Sequence, residues 1–207
     1  MAHIYHLNEV FASLQGEGRN TGRPVTFIRF AGCNLSCPWC DTDRSEKMRM
    51  TLPDLVELVN HLGVPSVVVT GGEPAIQPGL DELLSELKAR GYWIALETNG
   101  VVAPSRPDLF DYIAVSPKAE FANRYNERQM LKKADEMRIV ASSKRIAGFC
   151  RAMRAAIEAT DYYISPLSQR GRMNIAGATA LMDVLNEGLK SRPWMLSVQT
   201  HKLIGIK

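Results

Sequence analysis

Apolar positions change period several times along the chain, and each change marks an element. Val25-Thr-Phe-Ile-Arg-Phe30 is a β-branched and aromatic run that predicts a strand. Ser66-Val-Val-Val-Thr70 is continuously apolar, as expected of a strand covered on both faces. Further strands are predicted at Tyr92–Leu96, Tyr112–Val115, Met137–Ala141 and Tyr162–Ile164, with a last one in the tail from Trp194 to Val198. His3 to Leu14 alternates loosely and reads as a strand or an irregular lead-in. Between the strands the period becomes helical. Leu52, Leu55, Val56, Val59 and Leu62 form one stripe, with Thr51 as N-cap, Pro53 in the first turn, Asp54 at the positive end and Gly63 as the stop. Leu80, Leu83, Leu84 and Leu87 form a second stripe that runs to Arg90 and closes at Gly91. Two more helices are predicted over about Lys144–Ala159 and Ala176–Leu189.

Strand, loop and helix in repeated order imply right-handed parallel crossovers. Nearly every strand ends in polar or glycine-rich residues, where parallel α/β sheets place their sites. Six such units are too few for a closed eight-stranded barrel. The expected fold is therefore α/β, a partial, open β/α barrel of about six parallel strands, forming one domain over residues 1–207. Composition adds only exclusions. A net charge of +3 gives no argument for nucleic acid, and no apolar run approaches a membrane span. The N-terminus lacks a signal-peptide pattern, so the expectation is a cytoplasmic protein with reduced thiols.

The chemistry concentrates in Cys33-Asn-Leu-Ser-Cys37-Pro-Trp-Cys40, followed by Asp41-Thr42. Three thiols on one short loop suit a metal or cluster better than a disulfide framework. Four thiolates would close an iron–sulfur cubane, and three leave one iron open to a small molecule. The alternative is a structural zinc site of three Cys and one His, drawing on His3, His6, His61 or His201; no second cysteine knuckle accompanies it. Cys150, in a predicted helix, reads as a buried or chance surface thiol.

The remaining motifs each carry two readings. Leu14-Gln15-Gly16-Glu17-Gly18 is a tight loop with accessible backbone, either a site or a plain turn. Arg29 inside an apolar strand is a carboxylate clamp or an outward-facing charge. Gly71-Gly72-Glu73 suits an α-amino group or a strand-to-helix turn; Glu97 and Asn99 suit a ribose or turn chemistry. Ser116 and Lys118 suit a nucleoside ligand, with Lys118 otherwise a solvated end, and Asp41 and Thr42 are oxygen donors of the kind Mg²⁺ uses, with Thr42 otherwise a cap. Asp43, Arg44, Glu46, Lys47 and Arg49 read as a solvated mixed-charge loop.

The cysteine spacing resembles the signature of the radical S-adenosylmethionine enzymes. Together with Glu9-Val-Phe, Gln15-Gly-Glu-Gly18, Phe30-Ala-Gly, Thr70-Gly-Gly-Glu-Pro74, Glu97-Thr-Asn-Gly100, Ser116-Pro-Lys118 and Gln199-Thr-His-Lys202, it resembles the 7-carboxy-7-deazaguanine synthases nearly end to end. That resemblance implies a radical S-adenosylmethionine carbon–nitrogen lyase of queuosine and deazapurine biosynthesis. Its substrate would be 6-carboxy-5,6,7,8-tetrahydropterin, contracted to 7-carboxy-7-deazaguanine with loss of ammonia. It implies a 4Fe–4S cluster on Cys33, Cys37 and Cys40, Mg²⁺ on Thr42, and no catalytic side chain beyond the cluster and the cofactor radical. S-adenosylmethionine would lie on Trp39, Cys40, Asp41, Gly72, Ser116, Pro117, Lys118 and the segment Ser165, Pro166, Leu167, Ser168. Substrate would lie on Leu14, Gln15, Gly16, Arg29, Thr70 and the terminal carboxylate of Lys207. The expected partners are the pterin, an electron donor and a second copy in a homodimer, with no nucleic acid and no membrane. Two departures stand out: many members carry Gln-Pro-x-Asp where this chain has Ser165-Pro-Leu-Ser168, and the chain ends in Lys207 rather than a final Pro. The nearest rival within the superfamily is a glycyl-radical activase; outside it, a zinc or iron–sulfur binding module or a regulatory partner-binding protein.

Overall fold

The structure is a computed structural model that describes residues 3–126, 128–169 and 171–207. The chain forms two compact units, each described by itself: residues 1–15, 22–98 and 102–113, and residues 16–21, 99–101 and 114–207.

The first unit holds β1 (Ile4–Leu14), β2 (Pro24–Phe30), β3 (Met48–Thr51), α1 (Leu52–Leu62), β4 (Ser66–Gly71), α2 (Leu80–Ala89), β5 (Trp93–Thr98) and the start of β6 (Tyr112–Val115). Its strand order is β3-β1-β2-β4-β5. β2, β4 and β5 are parallel, whereas β1 and β3 add antiparallel at the edge. Strand alternation sends Ile28, Phe30, Val67, Val69 and Ile94 to one face, where Leu55, Val56 and Val59 of α1 and Leu80, Leu83, Leu84 and Leu87 of α2 cover them. All of these are buried.

The helix α1 begins where its sequence says it should. Thr51 is extended and its hydroxyl accepts from the Asp54 N–H, while Gly63 closes the helix at φ 71°. That left-handed conformation is open to glycine at little cost.

β1 is not a uniform strand. Leu7 pairs with Phe30, but the next paired residue is Glu9, opposite Arg29, so Asn8 forms a bulge. Before the bulge Tyr5 and Leu7 face the helices with Phe30. After it Glu9, Phe11 and Ser13 lie opposite Arg29, Phe27 and Val25 on the other face.

The second unit holds β7 (Lys133–Ala141), α3 (Ala147–Ala156), β8 (Glu158–Pro166), β9 (Ser168–Gln169), β10 (Arg172–Met173), α4 (Ile175–Asn186), β11 (Trp194–Leu196) and α5 (Thr200–Ile204). The end of β6 leads a parallel order β6-β7-β8-β11; β9 and β10 form a separate antiparallel pair. Met137, Ile139 and Ile164 on the strands are buried, as are Leu181 and Leu185 on α4. Trp194 packs on Tyr162 at 5.3 Å, and the Arg154 guanidinium covers the Tyr162 ring at 4.0 Å.

The six expected parallel strands are present, and the architecture is an open, mostly parallel α/β fold. Differences lie at the edges. The helix expected over 144–159 is a 3₁₀ turn at Lys144–Ile146 followed by α3, and it stops at Ala156. Ile157 is extended and fully buried, and the Glu158 N–H donates to Lys132 O, so strand pairing captures the residues after it. β7 likewise starts at Lys133, four residues before its apolar run. The mixed-charge stretch ends inside β3, which takes Arg49. Its charges pair among themselves and with His6: Lys47 with Asp43 at 2.7 Å, His6 with Glu46 at 2.7 Å, and Arg49 with Glu46.

Replacing Thr51 by Ala removes the α1 cap, and thermal or urea melts should show a loss of about 1 kcal/mol, with Thr51→Ser close to the native value.

Candidate active site

The cysteine loop fills the gap between β2 and β3 without helix or strand. Its ends are anchored. Ala31 N–H donates to His6 O, Gly32 N–H to Arg44 O, and Lys47 N–H to Leu7 O, at 2.9–3.0 Å. The Asn8 amide donates to Ser45 O at 2.9 Å, Arg44 Nη1 donates to Leu35 O, and Leu35 of the loop is buried. The loop is also seated on the end of β4. Gly72 N–H donates to Phe30 O and Glu73 N–H to Gly32 O, at 2.9 and 3.0 Å. A Cβ at residue 72 would lie 1.4 Å from Gly32 O, and one at Gly71 would lie 2.3 Å from Phe30 N and O at a φ of 131°. Both glycines are therefore demanded by backbone approach.

Cys33 and Cys37 are half-buried, Cys40 is exposed, and none is in a disulfide. Three thiols on an irregular but anchored loop are a donor set that fits a 4Fe–4S cluster with one open iron. Among the described residues no group of three His, Cys, Asp or Glu side chains is arranged as a metal site, so the thiols share the loop without converging. Cys150 is a different kind of residue. It is fully buried in α3, and burial pushes its thiol up to about 12. Asp41 is exposed and Trp39 and Thr42 are half-buried on the same loop.

On the first unit's other face, polar side chains stand opposite one another across the strands. Arg29 pairs with Glu9 of β1 on one side and lies opposite Thr70 of β4 on the other. Arg29 Nε donates to Glu9 Oε1 at 2.9 Å. Thr70 Oγ1 donates to Glu97 Oε2 at 3.4 Å, and Gln15 Nε2 donates to Glu97 Oε1 at 2.9 Å. Phe11 stacks on Phe27 at 5.2 Å one step along the same face. So Gln15, Arg29 and Thr70 come together, and Glu97, read from sequence as a ribose or turn residue, ties two of them. Leu14, next to Gln15, is half-buried at the end of β1. Glu73 is fully buried; it accepts from Ala75 N–H at 3.0 Å and Thr98 Oγ1 at 2.7 Å, which is helix-capping chemistry.

In the second unit Gly16 is pressed against His201, whose Nδ1 lies 2.0 Å from where a Cβ would be, and the Thr200 N–H donates to Gly16 O at 2.9 Å. Two motifs nearly two hundred residues apart thus meet. The following residues sit on a charge cluster that the sequence reading missed. Arg138 Nε stands 3.0 Å from Glu136 Oε1, and its Nη1 donates to Glu17 Oε2 at 3.1 Å. Arg19 N–H donates to Glu136 Oε2 at 2.9 Å, and Gly18 N–H to Ser197 Oγ at 2.9 Å. Arg19 Nε and Asp161 Oδ2 form an ion pair at 2.8 Å without hydrogen-bond alignment. Gly18 has φ 66°, and a Cβ there would meet the Glu136 carboxylate at 2.2 Å. Burial, then the carboxylates of Asp161 and Glu136, push the neighbouring Tyr163 phenol up. The available signal was a pair of opposite charges at i and i+2 in one buried strand.

The other expected positions are local. Lys118 Nζ donates to Ser116 Oγ at 2.8 Å, its N–H donates to Tyr125 Oη at 2.7 Å, and Tyr125 Oη donates to Asn99 O at 3.0 Å. Asn99 Oδ1 accepts from Val101 N–H at 2.9 Å, the turn alternative. Pro117 is buried. Ser165 and Pro166 are buried at the end of β8; Leu167 accepts from Asn174 N–H, and Ser168 pairs with Met173. Lys207 is exposed beyond α5.

Two outcomes follow from this geometry. Gly72→Ala should unseat the cysteine loop, so iron content after anaerobic reconstitution falls towards background while far-UV circular dichroism persists. Alkylation of the cluster-free folded protein at pH 8, read by peptide mass, should modify Cys33, Cys37 and Cys40 and spare Cys150, since a raised pKa and burial keep that thiol protonated.

The family model of the radical SAM superfamily matches residues 27–117, which include the three loop cysteines. The 7-carboxy-7-deazaguanine synthase of Haemophilus influenzae is 43% identical over 203 residues, covering 98% of this chain and 94% of its own. That of Neisseria meningitidis serogroup B is 47% identical over 208 residues, with the same coverage of 98% and 94%. The crystal structure of QueE from Escherichia coli aligns with a TM-score of 0.70 at 26% identity, over 96% of this chain and 95% of that one. At this identity and coverage the chain belongs to the 7-carboxy-7-deazaguanine synthase family of radical SAM enzymes, whose chemistry uses a 4Fe–4S cluster and S-adenosylmethionine.

Proposed function

We propose that this enzyme converts 6-carboxy-5,6,7,8-tetrahydropterin to 7-carboxy-7-deazaguanine, with ammonia as the other product, in queuosine and deazapurine biosynthesis. The observation that carries the reading is alignment of 98% of the chain with relatives bearing that name. When bound, the cluster and S-adenosylmethionine supply a 5′-deoxyadenosyl radical able to take hydrogen from C6 of the pterin. Everything else is the work of the chain. Cys33, Cys37 and Cys40 would hold the cluster, and Thr42 would hold Mg²⁺. Trp39, Cys40, Asp41, Gly72, Ser116, Pro117, Lys118 and Ser165, Pro166, Leu167 and Ser168 bind S-adenosylmethionine. Gly72 serves as well because only a bare backbone fits against Gly32 there.

Leu14, Gln15, Gly16, Arg29, Thr70 and the Lys207 carboxylate bind the pterin. The geometry favours fixed rather than searching groups: Gln15 and Thr70 are both tied to the Glu97 carboxylate. Arg29 brings the positive charge that the substrate's carboxylate requires. The enzyme acts in the cytoplasm as a homodimer of single-domain chains and takes its electron from a separate donor.

The test is anaerobic reconstitution followed by reductant, S-adenosylmethionine, Mg²⁺ and 6-carboxytetrahydropterin, with product read by mass. Formation of 7-carboxy-7-deazaguanine that disappears in Cys37→Ala is expected. An intact cluster that releases 5′-deoxyadenosine only when a partner protein is added would overturn the substrate assignment in favour of an activase.

A further inference from the structure

We infer that Glu9 is the positioning residue for Arg29, fixing the guanidinium so that its outer edge meets the substrate's carboxylate. The inference rests on the proposed reading of Arg29 as the carboxylate-binding group. Three observations carry it. The bulge at Asn8 changes the face on which β1 presents its side chains, and so brings Glu9 directly opposite Arg29. The contact uses Arg29 Nε, at 2.9 Å from Glu9 Oε1. The pair is partly sheltered, with 22% and 26% side-chain exposure, so it is neither a solvated surface contact nor a fully buried ion pair.

An arginine held at Nε keeps its Nη1 and Nη2 hydrogens for a second carboxylate, which they can meet two-pronged. An arginine without that hold spreads over several rotamers and loses conformational freedom on binding. The stacked Phe11 and Phe27 occupy the next pair of positions on this face.

The sign of the effect separates two roles for Glu9. Its negative charge repels a substrate carboxylate, so charge alone would weaken binding. The benefit is the hydrogen bond, which a neutral acceptor can also provide. Glu9→Ala is therefore expected to harm binding and Glu9→Gln to restore it, since the Gln carbonyl can accept from the same Nε–H.

The experiment measures equilibrium binding of two probes to the reconstituted enzyme: 6-carboxytetrahydropterin and unsubstituted tetrahydropterin. Glu9→Ala should weaken binding of the carboxylated probe about tenfold, the size of one charge-assisted hydrogen bond, and leave the unsubstituted probe unchanged. Glu9→Gln should return to within about twofold of native. In an Arg29→Ala background, Glu9→Ala should add nothing. If Arg29→Ala selectively weakens the carboxylated probe but Glu9→Ala weakens neither or both equally, the positioning role is overturned and the Arg29 reading survives. Should Arg29→Ala itself fail to discriminate between the probes, the reading of Arg29 falls and the role of Glu9 falls with it. Thermal melts of each variant keep a folding defect from passing as a binding one.

Discussion

The approach of two main chains, Gly72 against the carbonyl of Gly32, is the constraint on which the first unit's chemistry depends. No side chain fits there, and the adjacent amides of Gly72 and Glu73 use the closeness to bind Phe30 O and Gly32 O. A loop that carries three thiols, with no helix or strand of its own, is thereby fixed at its entrance. Its exit is fixed by Arg44 O, Ser45 O and the Lys47 N–H, all bound to β1 or the loop itself. The glycine pair that reads in sequence as a ligand-approach motif first serves the fold. The space it leaves and the loop it seats are one feature.

The second unit handles its own constraint with charge. Glu136 and Arg138 are almost without solvent, and a charge in that condition must be paired. They find partners in each other, in Glu17 and in the Arg19 amide. Removing Arg138 would take away the buried guanidinium that Glu17 and Glu136 share, so the cluster holds the 16–19 loop more firmly than surface ion pairs would. Gly16 and Gly18 then do different jobs. Gly16 admits the His201 ring, whereas Gly18 admits a carboxylate and supplies a left-handed turn.

Legibility followed the range of the physics. Helix α1 was readable because its stripe, Thr51 cap and Gly63 stop are all local in sequence. The parallel strands were readable because both faces are covered, which leaves an apolar run. The three cysteines were readable because their spacing lies within one loop. What escaped depends on distant pairing. β3 is four residues long and is a strand because β1 accepts it. Glu158 belongs to a strand because Lys133 stands opposite. Glu136 and Arg138 look like surface charges until the loop that covers them is known. Asn99 and Glu73 were each open to two readings, and the turn and cap hydrogen bonds they make use atoms only two residues away for Val101 and Ala75, with Thr98 contributed from another strand.

The bulge at Asn8 makes β1 two half-strands of opposite phase joined in one chain. The first half addresses the helices through Tyr5 and Leu7, and the second returns Val10 to them only because the count has slipped by one. What puts an acid beside Arg29 is thus a matter of register as well as residue identity: were Asn8 paired in step instead of bulged, Glu9 would fall opposite Ile28, under α1 and α2, with its sequence neighbours unchanged. The splice is held from outside the strand, because the Asn8 amide is bound to Ser45 O where the cysteine loop returns to the sheet. The loop that would hold the iron is in this way also the clasp that sets the phase of the strand beside it.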